Sequence, residues 1–216
     1  MAAVQTVFLS HLSQTPVHVA LFRDVKNAQF LRRQLLEGNQ AFEYAFLDAT
    51  ALLSTTHVLA AVFRALNDQR NARLKSRNVH SEIVFSLSPN NNIADSFRRF
   101  GVQDTTTALL AIKVSTESAP VSVDAVQSHL SESVEGTALP FTDASLAEFT
   151  DLARIRKIYK LDAALPSQKG KNPSKKNKQA NGVTHLNGAA TDEPPPRDDK
   201  QEMEACILGI MALKGS

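Results

Sequence analysis

Cysteine is almost missing from this sequence, in which Cys206 stands alone among 216 residues. A single cysteine excludes a disulfide within the chain and a cysteine-ligated zinc site within the chain. Such usage is typical of a reducing, intracellular compartment, which is where we expect the protein. Cys206 lies among apolar residues of a predicted helix, where a small buried hydrophobic side chain is favoured over a reactive thiol.

Long hydrophobic runs are missing as well. No apolar stretch approaches the roughly 20 residues that a membrane-spanning helix needs, so we predict no membrane contact. The first residues, MAAVQTVFLSHLS, lack a basic start and a convincing apolar core, and they predict no secretory signal. Hydrophobic residues still make up 43% of the chain, which is enough for a folded core.

The common motifs of catalysis and cofactor binding do not occur in the sequence. It has no glycine-rich phosphate loop, no dinucleotide fingerprint, no nucleophile elbow and no HExxH zinc motif. The six histidines are scattered without metal-ligand spacing, so we predict no metal site and no cofactor. Asp48, at the end of a predicted strand, and His57 are left as candidates for a small hydrolase. A turn or helix cap is the favoured role for a lone aspartate at that position.

Neither sign of charge is in large excess, since the chain carries 24 basic and 22 acidic residues. The surplus lies in residues 164–200, which hold seven basic and four acidic residues. The rest of the chain has 17 basic and 18 acidic residues and a net charge of −1. Any RNA binding by the folded part must therefore use a local patch.

Residues 164–200 are rich in Lys, Asn, Pro and Gly and nearly free of large apolar side chains. Burial could not offset the entropy of ordering such a segment, so we predict a disordered insertion. Residues 1–163 and 201–216 then form one domain. The lysines at 169–178 are compatible with RNA binding by this tail, with a nuclear import signal or with a solvated charge run.

Strand and helix patterns alternate through the first 163 residues. Apolar patterns of period two predict strands at 16–22, 42–49, 81–88 and 106–114. Helical periods predict helices over 25–38 (with Asp24 as N-cap and Gly38 as stop), 54–72, 93–100, 122–131, from 143 or 150 to 160, and 201–214. We therefore predict an α/β (α+β) fold: a single domain with a small mixed sheet of about four strands packed with several helices. The C-terminal helix returns to the core after the insertion.

Two clusters of basic residues stand out. Arg73, Lys75 and Arg77 occupy alternate positions, so in an extended chain they project to one side and could contact phosphates. The string ARIRKIYK at 153–160 surrounds an apolar stripe with four cations. A solvated surface is the favoured interpretation of both clusters, and a binding face for RNA or an acidic partner is the alternative.

Three asparagines in SLSPNNNIADSFRRFG, residues 86–101, precede an apolar helical pattern. The first N–H groups of a helix lack partners, and Asn90, Asn91 and Asn92 can cap them. The same amides can also offer donors and acceptors to a base edge or a phosphate, with Arg98 about two turns further on. Capping is favoured from the residues alone, and binding stays open.

The predicted last helix has more apolar residues than one face needs. Met203, Ile207 and Ile210 share the face expected to meet the core. The apolar residues off that stripe are Leu208, Met211 and Leu213. They cover either a second core surface or a partner protein.

Several of these strings together resemble one family. They are LFRDVKNAQFLRR at 21–33, the pair Lys75 and Arg77, SEIVFSLSPNNNIADSFRRFG at 81–101 and RKIYKL at 156–161. These strings are similar to the PRPK-binding protein (TPRKB) family, the small kinase-binding subunit of the EKC/KEOPS complex, and a fungal member is expected. The stretch from Asp48 to Lys75 is longer than in the animal protein, which also lacks a counterpart of the insertion.

The resemblance implies a non-catalytic regulatory subunit that binds the PRPK-like kinase/ATPase subunit directly as an allosteric effector. That complex installs threonylcarbamoyl on the adenosine beside the anticodon of tRNAs that read codons beginning with A. The transferase subunit is an implied partner through the complex, and tRNA is another, held by its CCA end. The resemblance also implies a nuclear location (chromosome and telomere, with the cytoplasm as a second location) and links to telomere maintenance and transcription.

We accordingly predict two sites. The residues predicted to hold the CCA end of tRNA are Lys75, Arg77, Asn90, Asn91, Asn92 and Arg98. The residues predicted to bind the kinase through a largely apolar patch are Ile207, Leu208, Met211 and Leu213. The competing interpretations are a stand-alone RNA-binding protein that uses the basic tail and a small hydrolase.

Overall fold

The computed structural model of the chain describes residues 4–162 and 199–214. The strands in these ranges are β1 (Gln5–Val7), β2 (Val17–Arg23), β3 (Ala45–Asp48), β4 (Leu109–Val114) and β5 (Thr137–Leu139). The helices are α1 (Ala28–Leu36), α2 (Thr55–Arg70), α3 (Val79–Leu87), α4 (Ile93–Phe100), α5 (Val123–Ser133), α6 (Asp143–Ala147), α7 (Leu152–Tyr159) and α8 (Asp199–Leu213). Short 3-10 helices lie at Gln40–Phe42 and Ala49–Ala51.

The five strands form one sheet in the order β1-β2-β4-β3, with β5 also paired to β2. The longest pair, β2 with β4, runs from Val17 opposite Val114 to Phe22 opposite Leu109. On the other edge of β2, β1 covers the first half and β5 covers the second half. The predicted α/β class is confirmed. The sheet differs from the mixed one we predicted, because every pair among the described strands is antiparallel.

Helices cover both faces of the sheet, which splits the core into two layers. Val17, Val19 and Leu21 of β2 face the layer that contains α2, α3, α7 and α8. Ala20 and Phe22 face the opposite layer, which contains α1 and α5. Successive strand residues point to opposite faces, so the alternation visible in the sequence is the one that divides these layers.

The prediction of a strand at 81–88 is wrong, because these residues belong to α3. Every residue from Glu82 to Leu87 is buried, so the segment reads as a continuous apolar run whose period cannot separate strand from helix. Asn78 caps the helix by accepting a hydrogen bond from the Ser81 N–H at 2.8 Å. The unpredicted strands β1 and β5 have only three residues each, too few to show a period.

The first helix begins later than predicted. Asp24 is not its N-cap, since Asp24 has a φ of 55° and the helix starts at Ala28. Asn27 holds the cap position but joins this turn to the end of α5, donating to the Ser133 carbonyl at 2.8 Å. Gly38, with a φ of 71°, follows the helix end as predicted, in the left-handed conformation that glycine adopts readily.

The last helix returns to the core as predicted and packs on α2 and α7. Met203, Ile207 and Met211 are its buried residues, so Met211 takes the core position predicted for Ile210. Ile210 and Cys206 are half-buried and pack against the same core layer. The predicted insertion lies outside the described residues except for its last two, which begin α8.

Two buried histidines make the fold sensitive to acid. The His57 Nδ1 accepts from the Leu53 N–H at 3.2 Å, and its Nε2 lies 2.8 Å from the Tyr159 hydroxyl. The His80 Nε2 accepts from the Val114 N–H at 3.0 Å. Burial lowers the pKa of His57 to about 4. Burial and the nearby Lys113 lower the pKa of His80 to about 3.

We expect the free energy of unfolding to fall as the pH drops from 7.5 to 5. Below pH 6.5 the unfolded chain protonates both histidines while the folded chain keeps them neutral, so each costs about 2 kcal/mol over this range. Urea unfolding at pH 7.5, 6.5, 5.5 and 5 measures the change. In a His80→Gln variant the pH dependence should be shallower by the share that His80 contributes, about 2 kcal/mol over this range. A flat wild-type profile contradicts the prediction.

Candidate functional site: two grooves joined by a basic loop

The predicted basic row forms a loop, residues 73–77, between α2 and α3. The side chains of Arg73, Lys75 and Arg77 are all exposed in this loop. Arg73 and Lys75 line a groove between α2 and α8, which we call the α2–α8 groove. Arg77 lines a second cavity between α1 and α4, which we call the α1–α4 cleft. The loop therefore borders both cavities.

Glu82, which sequence reasoning missed, holds this loop in place. Its carboxylate oxygen Oε2 accepts from the Lys75 N–H at 3.0 Å, the Ser76 N–H at 2.8 Å and the Ser76 hydroxyl at 2.5 Å. The Glu82 side chain lies in the first turn of α3 and is only 1% exposed. A buried carboxylate with three donors fixes the loop backbone and leaves the basic side chains pointing outward. No sequence pattern indicated this role for Glu82, because its segment was predicted to be a strand.

The α1–α4 cleft has a volume of about 660 Å³ and a basic lining. Its charged residues are Arg32, Arg77, Arg98 and Glu43. Its other residues with amide side chains or large apolar side chains are Leu35, Leu36, Asn39, Gln40, Asn78, Phe97, Val102 and Gln103. The three arginines and one glutamate give the lining a net charge of +2. The cleft therefore offers cations, amides and an apolar surface that includes an aromatic ring.

The three arginines of the α1–α4 cleft differ in how they are paired. Arg32 contacts Asp104 at 3.1 Å, and Arg98 forms an ion pair with Asp95. Within the described ranges, Arg77 makes no ion pair and no side-chain hydrogen bond. Its guanidinium lies against Gly38, where an added Cβ would stand 3.2 Å from Nη1. Arg77 is thus the cation of this cleft best placed to take a new anion.

The asparagines at the start of α4 serve mainly as caps. Asn92 accepts from the Asp95 N–H at 2.9 Å, and Asn90 accepts from the Asn92 N–H at 3.0 Å and donates to Asp95 at 2.7 Å. That bond from Asn90, helped by Arg98, lowers the pKa of Asp95. Asn91 is exposed and makes no side-chain hydrogen bond to the described part of the chain. The favoured capping role is confirmed for Asn90 and Asn92, and none of the three lines the cleft.

The α2–α8 groove, of about 590 Å³, has an apolar floor and a charged rim. The apolar residues lining it are Ala60, Phe63, Leu208, Met211 and Ala212. The charged residues lining it are Arg64, Asp68, Arg73, Lys75 and Lys214. Asp68 lies 3.3 Å from Arg73 and 3.9 Å from Arg64. Among the described residues that line this groove, the basic side chains outnumber the acidic ones, so the groove carries a net positive charge.

Hydrogen bonds of charged side chains attach both halves of α8 to the rest of the domain. At its start, Ser54 donates a hydrogen bond to Glu204. At its end, the Arg64 guanidinium donates to the carbonyls of Met211 and Lys214 and satisfies acceptors that the helix leaves unpaired. The Lys214 ammonium donates to the Phe85 carbonyl and lies 3.3 Å from the centre of the Phe85 ring. Burial, followed by the nearby Arg64, lowers the pKa of Lys214 to about 7.

The predicted kinase-binding residues fall on different sides of α8. Ile207 is fully buried in the core, and Met211 is buried at the floor of the groove. Leu208 is half-buried and lines the groove, and Leu213 is 73% exposed. In this arrangement Leu208 and Leu213 carry the accessible apolar surface of the helix, beside Phe63 of α2, which is 43% exposed.

The candidate hydrolase residues are committed to structural bonds. Asp48 accepts from the Thr50 N–H at 3.1 Å and pairs with Arg154 at 2.8 Å, so the favoured cap role is confirmed. Arg154 also donates to the Arg99 carbonyl at 2.7 Å, which explains one of the cations at 153–160. His57 is buried with both ring nitrogens hydrogen-bonded.

Residues 4–162 and 199–214 contain neither a candidate metal site nor a candidate membrane span. No group of three or more His, Cys, Asp or Glu side chains in these ranges could hold a metal ion. No helix in the same ranges combines the length and apolarity needed to cross a membrane.

Comparison with known proteins gives a consistent family. The family model described as kinase binding protein CGI-121 matches residues 22–215. The chain is 49% identical over 215 residues to the EKC/KEOPS complex subunit cgi121 of Aspergillus terreus, covering 100% of this chain and 98% of that protein. It is 49% identical over 226 residues to the subunit of the same name from Coccidioides immitis, covering 100% of both. The match to the Schizosaccharomyces pombe subunit is 33% over 149 residues, covering 69% of this chain and 84% of that protein.

These matches confirm the kinase-binding family that the sequence strings had indicated. They extend well beyond those strings and include α8, the helix that follows the insertion. This chain belongs to the CGI-121 family of kinase-binding proteins.

Proposed function

We propose that this chain is a non-catalytic, kinase-binding subunit of the EKC/KEOPS complex. The family description supports a kinase as its direct partner, and the names of its relatives support the complex. The transferase subunit is then a partner through the complex. The structural roles of Asp48 and His57 agree with the proposal, since the two candidate hydrolase residues are engaged in other bonds.

The α2–α8 groove is our candidate for the kinase-binding surface. Phe63 and Leu208 line the groove together with charged residues, and Leu213 adds exposed apolar surface on the same helix as Leu208. Exposed apolar groups with a polar rim are typical of protein–protein interfaces, where large apolar side chains act as anchors. The kinase is thus expected to cover the outer side of α8 and the adjacent face of α2.

The α1–α4 cleft and the adjoining loop are our candidate for the site that holds the CCA end of tRNA. The observation that carries this proposal is Arg77, an exposed arginine with no ion pair in the described part of the chain, which shares the cleft with Arg32, Arg98 and Phe97. Single-stranded RNA binds where cations meet phosphates while bases stack on apolar or aromatic groups and meet polar side chains at their edges. The cleft combines all three kinds of group, and Lys75 extends the positive charge along the loop.

In this proposal the subunit acts on the kinase as an allosteric effector and helps the complex modify the adenosine beside the anticodon. A nuclear location at chromosomes and telomeres, a cytoplasmic pool and roles in telomere maintenance and transcription are further parts of the proposal. They follow from the family resemblance.

A reconstituted complex tests the proposal directly. We expect threonylcarbamoylation of a tRNA that reads a codon beginning with A to fall when this subunit is left out, and the isolated chain to bind intact tRNA more tightly than tRNA without its CCA end. A variant that lacks residues 164–198 should keep that preference if the folded part binds the RNA. Loss of all RNA binding in this variant would favour the basic tail, and nucleotide turnover by the isolated chain would favour an enzyme.

A further inference from the structure

Helix α3 holds both the basic loop and the end of α8. Glu82 accepts the backbone N–H groups of Lys75 and Ser76 at 3.0 and 2.8 Å, which anchors the loop. The Lys214 ammonium donates a hydrogen bond to the Phe85 carbonyl and lies over the Phe85 ring. Because residues three apart lie on the same side of a helix, Glu82 and Phe85 bring the two attachments together.

The two attachments carry opposite buried charges. Glu82 is 1% exposed and Lys214 is 6% exposed. They form no ion pair within 4 Å. Burial is the main factor that disfavours the charged form of Lys214, Arg64 and Lys75 add to it, and the Glu82 carboxylate favours the charged form. A buried charge is costly unless opposite charges and hydrogen bonds compensate it, so each of these residues depends on where the other lies.

The basic loop borders both proposed binding sites, since its Arg77 lines the α1–α4 cleft and its Arg73 and Lys75 line the α2–α8 groove. Leu208 and Met211 from α8 and Arg73 and Lys75 from the loop line the same groove. A kinase that covers α8 would hold the end of that helix, with its Lys214 ammonium, on α3 close to the residue that anchors the loop. RNA in the α1–α4 cleft would hold the same loop through Arg77, so each ligand would favour the arrangement in which the other binds.

We propose that Glu82 and Lys214 link the basic loop to α8, so that kinase binding and RNA binding strengthen each other. The inference rests on the proposed function, since it takes the kinase on α8 and the RNA on the loop. Coupling of this kind is reciprocal: RNA raises the affinity for the kinase by the factor by which the kinase raises the affinity for RNA.

The test measures the dissociation constant of a short RNA ending in CCA with the full chain, alone and with saturating kinase subunit. We expect at least about fivefold tighter RNA binding in the presence of the kinase, the lower end of typical coupling. Lys214→Met keeps most of the side-chain length and removes the charge, and it should bring the factor close to one. The matched control Lys26→Met removes an exposed lysine that lines neither cavity and should keep the wild-type factor.

Three outcomes overturn the inference and are distinguishable. A wild-type factor of one, with each ligand binding by itself, overturns the linkage and leaves the proposed function standing. An unchanged factor in a folded Lys214→Met variant removes these residues from the linkage. Absence of RNA binding to the wild-type chain overturns the RNA part of the proposed function and the inference with it.

Hydrogen exchange in the wild-type chain gives a second readout that needs no variant. We expect the amides of Lys75 and Ser76, which donate to Glu82, to exchange more slowly when the kinase is bound. This measurement decides the matter if Lys214→Met does not fold. Unchanged exchange of both amides in the kinase-bound chain would overturn the linkage.

Discussion

Replacing Lys75 and Arg77 together with alanine is expected to weaken binding of a CCA-ended RNA by about 100-fold. Both side chains are exposed, and neither forms an ion pair within the described ranges, so both are free to neutralise phosphates. Glu82 holds the loop mainly through backbone N–H groups, and alanine keeps those groups, so the loop should retain its course. The plot of log affinity against log salt concentration should also become less steep, by the amount expected for the loss of about two phosphate contacts.

Fluorescence anisotropy titrations at salt concentrations between about 50 and 200 mM measure both effects, because salt weakens phosphate contacts strongly over this range. The matched control replaces Arg23 and Lys26, an exposed arginine and an exposed lysine that line neither cavity, with alanine and removes the same net charge. We expect that control to bind nearly as well as the wild type. An affinity and a salt dependence that are unchanged in the Lys75 and Arg77 variant would refute the RNA site.

The kinase contact should be lost when Leu208 and Leu213 are both replaced with aspartate. Anchor residues of an interface contribute about 2 kcal/mol or more each, so two losses predict at least a 100-fold weaker complex. Leu213 is exposed and Leu208 is only half-buried in the groove lining, so the fold should tolerate both changes. Co-purification with a tagged kinase subunit, followed by titration, provides the measurement.

Truncation after residue 200 is also expected to abolish co-purification, but it mixes two effects. It removes the buried side chains of Met203, Ile207 and Met211, each worth about 2–5 kcal/mol in a core, and so destabilises the fold as well. The surface variant separates binding from stability. Leu36→Asp is its control, because Leu36 is 74% exposed, close to the 73% of Leu213, but lies on the α1–α4 cleft. Retained kinase binding by the folded Leu208 and Leu213 variant would reject the surface.

The sequence predicted secondary structure well where burial is one-sided. Strands β2, β3 and β4 and helices α2, α4 and α5 lie close to the predicted ranges, because alternating or helical apolar periods mark one buried face. Helix α3 is buried nearly all round, so its sequence has no polar stripe to reveal the period. Because this segment was predicted as a strand, the role of Glu82 was missed. A strand would not have placed that carboxylate under the loop.

The candidate site was predicted residue by residue but not as a surface. Lys75, Arg77 and Arg98 were identified, and the fold brings Arg77 and Arg98 to one cleft and puts Lys75 in the other. The asparagines were predicted in both of their roles, and the structure engages Asn90 and Asn92 in the cap. For α8, the helical period of the apolar residues separated a core face from the rest of the helix. It did not show which of the remaining apolar side chains stay accessible to solvent.

By itself, the sequence determined the α/β class, the family and the positions of most cations, because these depend on residue types and short periods along the chain. Only the tertiary structure decided that one loop borders two cavities, that Arg77 lacks an ion pair within the described residues and that the loop and Lys214 both attach to α3. These features join residues more than 100 positions apart, such as Phe85 and Lys214. Contacts of that range are set by how the helices pack on the sheet, and no local pattern records them.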